Sequence, residues 1–131
     1  MAAGQFDHIH ITARDPARSA AWWADMFGAE VLPETEIRGI FFAPVLLDGV
    51  KISISGPRPG EGGAPGSPGP SAAVPHWGLE HLGIRVADLE AAMIRFAEQG
   101  LAVYERAESA VFKVAFVEAP DGVCLELMEP K

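Results

Sequence analysis

The opening stretch FDHIHITARD alternates strictly, with Ile9 and Ile11 set against His8, His10 and Thr12. This two-residue period predicts a strand with one aliphatic face and one polar face. The period then turns helical. Ala17, Ala20, Ala21, Ala24 and Phe27 fall on one stripe, Asp15 and Pro16 supply an N-cap and a first helical residue, and Gly28 supplies a left-handed stop. The same order recurs downstream. In GLEHLGIRVAD, Leu82, Ile84 and Val86 alternate with His81, Gly83 and Arg85, and Asp88 and Gly100 bracket the helical stripe Leu89, Ala92, Met93 and Phe96. Three strand-like stretches follow each helix. In the second half they are AVYER, VFKVAFVE and VCLELM, with Asp121-Gly122 as a tight turn before the last.

The recurrence keeps register. His8 and His81, Asp15 and Asp88, Asp48 and Asp121, and Gly49 and Gly122 each stand 73 residues apart. Such spacing marks an internal duplication and predicts an α+β fold of two βαβββ modules, residues 1–55 and 78–131. One module alone leaves a sheet face uncovered, so the two antiparallel sheets are expected to curve together into a cup. Residues 56–77 form a Gly/Pro-rich linker; its GPRPGEGGAPGSPGPSAAVP offers almost nothing to bury, although a long loop of this kind also suits an active-site lid.

The closing strands share the opening pattern: Ile52 and Ile54 alternate with Lys51, Ser53 and Ser55, and Leu125 and Leu127 with Cys124, Glu126 and Met128. Every candidate ligand therefore lies on the non-aliphatic faces. An antiparallel sheet commonly wets one face, which accounts for the pattern without a site. The alternative is a shared cup in which His8, His81 and Glu126 converge, two imidazoles and a carboxylate that leave metal positions open to substrate. Those donors suit one divalent transition metal (Fe, Mn, Ni, Co or Zn).

Composition narrows the partners. A formal net charge of −8 with no basic patch excludes a nucleic-acid partner, and no apolar run nears the roughly 20 residues of a membrane span. MAAGQFDH has no signal-peptide pattern, and the single cysteine, Cys124, fits a reducing compartment, so a cytoplasmic protein is expected. The expected partners are a small-molecule substrate and, because paired modules leave sheet edges to cover, a second copy in a homodimer.

FDHIHITARDPARSAAWWADMFGAEV, GLEHLGIRVADLEAAMIRFAEQGL and FVEAPDGVCLELMEP, in this order, resemble the vicinal oxygen chelate superfamily, which includes glyoxalases, methylmalonyl-CoA epimerases, extradiol dioxygenases, and fosfomycin- and bleomycin-resistance proteins. The resemblance implies metal ligands at His8, His81 and Glu126. A fourth position, Glu or Gln in glyoxalases and epimerases, falls here on Ser53, a poor ligand; the three-ligand dioxygenases are closer in this respect. It further implies a metal-dependent lyase or isomerase with enolate-type proton transfer, in which Glu126 and His10 move the proton and Ser53 and Arg85 contact substrate. An iron(II) extradiol-type dioxygenase is the alternative, and a non-catalytic drug-binding protein of the bleomycin-resistance type a second one. Trp22 and Trp23 read as packing residues, one of Phe41 and Phe42 as facing the cup, Cys124 as packed on the cup side, and His76 as a loop residue.

Overall fold

In the computed structural model, which describes residues 3–57 and 78–131, the chain divides into two compact units, one in each half. The expected linker lies, apart from Gly56 and Pro57, outside the described residues, as does His76.

The first unit holds β1 (His8–Thr12), α1 (Pro16–Phe27), β2 (Glu30–Val31), β3 (Thr35–Ile37), β4 (Ile40–Phe42), β5 (Val45–Leu47) and β6 (Val50–Ser55). Its sheet runs β2-β5-β6-β4-β3, with β1 parallel to β6. Asp15 caps α1 by accepting from the Arg18 amide at 3.1 Å, and Gly28 closes it in the left-handed region. The three strands expected after the helix are present as five short pieces. Pro33 and Pro44, which lack the amide a ladder requires, mark the interruptions. The path stays bonded across them: Leu32 N–H donates to Pro44 O at 2.9 Å and Ala43 N–H to Ile54 O at 2.8 Å.

The expected stripe of α1 is corrected by a rotation of the helix. Ala17 and Ala21 are exposed, and the buried residues are Pro16, Ser19, Ala20, Trp23 and Met26. Trp23 has far more apolar surface to remove from water than any alanine, so it sets which face turns inward. Trp23, Ile11, Val45, Ile52 and Ile54 all belong to the buried core of this unit.

The second unit comprises β7 (Leu82–Arg85), α2 (Leu89–Glu98), β8 (Val103–Glu108), β9 (Phe112–Glu118), a 3₁₀ turn (Pro120–Gly122) and β10 (Cys124–Pro130), in the sheet order β7-β10-β9-β8. The stripe on α2 is as expected, with Leu89, Met93 and Phe96 buried over Ala115, Val117, Leu125 and Leu127. Both Asp-Gly pairs turn the chain, in different ways. Asp48 and Gly49, with φ of 48° and 78°, form a two-residue hairpin turn between Leu47 and Val50, whereas Asp121 and Gly122, at 64° and 75°, lie in the 3₁₀ turn of a longer connection from Glu118 to Cys124.

The duplication extends to the ladders. β1 pairs with β6 so that His10 faces Ser53, and β7 pairs with β10 so that Gly83 faces Glu126. Both members of the second pair lie 73 residues beyond the first. Each unit is thus a βαβββ module whose first and last strands run parallel side by side. No helix among the described residues is long and apolar enough to cross a membrane.

Candidate functional site

In β10, Leu125 and Leu127 are buried on the helix side, which turns Glu126 to the opposite face. His81 stands one residue before β7, and its Nε2 lies 2.9 Å from Glu126 Oε2, with the two side chains 28% and 19% exposed. Three neighbours fix this pair. Glu80 Oε1 is 3.2 Å from His81 Nδ1, the Phe116 ring meets the His81 ring edge-on at 5.3 Å, and Gly83 opposite Glu126 adds no side chain of its own. Both His81 nitrogens therefore face carboxylate oxygens. An imidazolium satisfies both contacts; equally, with Nδ1–H given to Glu80, the Nε2 lone pair and the Glu126 oxygen together suit a cation.

The first unit repeats half of this arrangement. His8 Nδ1 lies 2.6 Å from Asp7 Oδ2, and Asp7 is the counterpart of Glu80 in the repeat. The hydrogen bond from His8, reinforced by its charge, holds the Asp7 carboxyl below its ordinary range. His8 is open to solvent. The counterpart of Glu126 is Ser53, buried and in register with His10. His10 Nε2 reaches the buried Ser55 hydroxyl at 2.6 Å, and its ring lies 5.7 Å from that of Phe42. Phe42, which pairs with Ser55, is thus the phenylalanine that meets His10, while Phe41 is partly exposed.

Arg85 is exposed and, by alternation along β7, shares the Glu126 face. Cys124 is a buried free thiol, and Trp22 and Trp23 pack edge-on at 5.3 Å. Neither unit by itself gathers three or more His, Cys, Asp or Glu residues around one point among the described residues. The second unit brings His81 and Glu126 together, and His8 belongs to the first.

Residues 5–127 match the family described as the Glyoxalase/Bleomycin resistance protein/Dioxygenase superfamily. The chain belongs to that superfamily. A search of curated proteins gave no match. Among solved structures, SMU.1112c is 25% identical, with a TM-score of 0.73 over 98% of this chain and 100% of that one. A glyoxalase family protein from Bacillus cereus shares the fold with a TM-score of 0.80 at 14% identity, over 99% and 98%. The fosfomycin resistance protein FosX from Listeria monocytogenes does so at 0.73 and 14%, over 100% and 96%.

Within this superfamily member, three groups beside the site go beyond the sequence reading. Asp7 and Glu80 carried a signal, since the 73-residue offset places an acid before each paired histidine. Ser55 stood on the polar face, but its burial and its bond to His10 depend on the β1–β6 pairing, which no local pattern reports.

Proposed function

We propose that the chain is a metal-dependent enzyme of the lyase or isomerase kind, which binds its substrate through adjacent oxygens and moves a proton next to a carbonyl. The observation that carries this reading is the His81–Glu126 pair, half-buried, with Glu80 on the remaining nitrogen of His81. A carboxylate on the second nitrogen of a histidine is the usual support of a metal ligand. His81 and Glu126 fit a divalent transition metal by donor type, and His8, backed by Asp7, would complete the set. Such a metal, when bound, polarises a substrate oxygen as a Lewis acid. FosX has been seen with Mn(II) and sulfate, and a FosX variant with Mn(II) and 1S,2S-dihydroxypropylphosphonic acid, which supports manganese among the candidates.

The protein groups divide the remaining work. Glu126 accepts a proton at its carboxylate, beside a Gly83 that leaves space for substrate. Arg85 holds an anionic substrate group through its planar guanidinium, and His10 serves the proton on the first-unit face. Ser53 in place of a fourth carboxylate favours one further reading, an iron(II) dioxygenase with three protein ligands. The protein would act in the cytoplasm, as a homodimer.

Metal analysis of untagged protein beside His81→Ala tests the proposal. About one transition metal per chain, lost in the variant, is the expected result. Iron, with oxygen-dependent turnover of a catechol, would move the assignment to the dioxygenase. Absence of metal from the wild type after incubation with Mn(II), Fe(II), Ni(II), Co(II) and Zn(II) would overturn both.

A further inference from the structure

We propose that Gly83 decides which substrates reach Glu126, by leaving a slot one side chain wide that admits a slender stem ending in an anion. This deepens the metal-enzyme reading above and rests on it. Gly83 is the one glycine inside a strand among the described residues. A glycine there weakens a strand, and it marks a left-handed backbone, a bulge, a crowded neighbour or the close approach of a ligand. The first three are missing at Gly83. Its φ lies outside the positive range of Gly100 and Gly122. The register from Leu82–Leu125 to Arg85–Met128 runs without a shift. A Cβ at this position would meet, among the described residues beyond its chain neighbours, only Met128 Sδ, at an ordinary 3.7 Å. The first module carries a whole imidazole, His10, at the equivalent position, so the fold itself does not demand a glycine.

The missing side chain would stand on the sheet face, not beyond the edge of β7, because a strand side chain points out of the pleat. On that face Glu126 is the ladder partner of Gly83, and Arg85 follows two residues on, about 6.6 Å along the strand, opposite Met128. Arg85 is exposed and meets no carboxylate among the described residues, whereas Arg106, Lys113 and Lys131 each meet one. In a chain of net charge −8, a guanidinium left without an acid is open to an anion from outside. A substrate that places adjacent oxygens at the His81–Glu126 end therefore runs its stem over Gly83, beside the Met128 thioether, and ends on Arg85. Any side chain at position 83 stands in the path of that stem.

Calorimetric titration of the Mn(II)-loaded protein with two probes tests the slot. Oxalate has adjacent oxygens and no stem; 2-oxoglutarate joins adjacent oxygens to a second carboxylate through a methylene stem. The wild type should bind both. Gly83→Val should keep its thermal midpoint, its Mn(II) affinity and its oxalate affinity, and bind 2-oxoglutarate about tenfold more weakly. Arg85→Gln should weaken 2-oxoglutarate by about tenfold and leave oxalate unchanged. Undiminished 2-oxoglutarate binding in Gly83→Val overturns the proposal. So does a fall in its thermal midpoint, Mn(II) affinity or oxalate affinity, which would make the glycine a structural one. A wild type that takes Mn(II) and oxalate but not 2-oxoglutarate removes the slot and leaves the enzyme reading standing, whereas a wild type that takes no Mn(II) removes that reading and the slot with it.

Discussion

Glu80 touches His81 only at Nδ1, yet it decides what Nε2 can do. With Nδ1–H given to a carboxylate, the ring is oriented and Nε2 becomes the more basic nitrogen. Glu80→Gln keeps an oxygen for the hydrogen bond and removes the charge, so Mn(II) affinity in a chelator competition should fall by ~10–100-fold. An unchanged affinity would mean that Glu80 is a surface acid with an incidental contact. A second residue-scale effect concerns pH. Lys131 Nζ sits 2.7 Å from Glu108 Oε2, and this hydrogen bond, followed by the charge of Lys131, holds the Glu108 carboxyl below its ordinary range. The pair therefore stabilises the fold above the unfolded-state value and is lost as pH falls through the lower folded one. The carboxyl resonance of Glu108 should titrate lower in the wild type than in Lys131→Ala. The His81 and Glu126 positions were legible in sequence because alternation put them on one face. The acid–histidine contacts were not, because alternation sends adjacent strand residues to opposite sides. Asp7 and Glu80 escape that rule by preceding β1 and β7.

At the scale of elements, α2 shows how a strand can finish a helix. Asp88 accepts from Ala91 N–H at 3.0 Å, and Glu129 at the end of β10 accepts from Leu89 N–H at 2.9 Å. Two of the orphan amides of the helix are thus satisfied, one locally and one by tertiary structure. Asp88→Ala should destabilise the protein by about 1 kcal/mol in urea melts. Glu129→Ala should cost a similar amount, of order 1 kcal/mol; it also removes the carboxylate 3.8 Å from Lys113. A neutral outcome for Glu129→Ala would show that water replaces it at Leu89. The contrast explains how far the fold could be read. Asp15, Asp88, Gly28 and the Asp-Gly turns act within a few residues, so their signals survive in sequence. The rotation of α1 around Trp23 depends on which side chain fills the core, and the interruptions at Pro33 and Pro44 depend on which amides the neighbouring strands require. Glu129 belongs to the same class, because its partner lies 40 residues away in the chain.

For the whole molecule, the repeat divides the candidate donors unequally. The second unit holds His81 and Glu126 in contact, whereas the first offers His8 with the small Ser53 at the position equivalent to Glu126. Two independent sites, one per unit, are therefore disfavoured: the first unit lacks the carboxylate that would make its own. If a single metal takes His8 together with His81 and Glu126, binding couples the two units, and its free energy becomes stability of the whole chain. At a free Mn(II) concentration about 100 times the dissociation constant, that linkage is worth about 2.7 kcal/mol and should raise the thermal midpoint in one shared transition. His8→Ala should abolish the shift as fully as His81→Ala does, although the two histidines belong to different units. A His8→Ala protein that keeps the full shift would assign the metal to the second unit alone. The duplication would then have left the first unit to hold the substrate wall around His10, without a share in the metal.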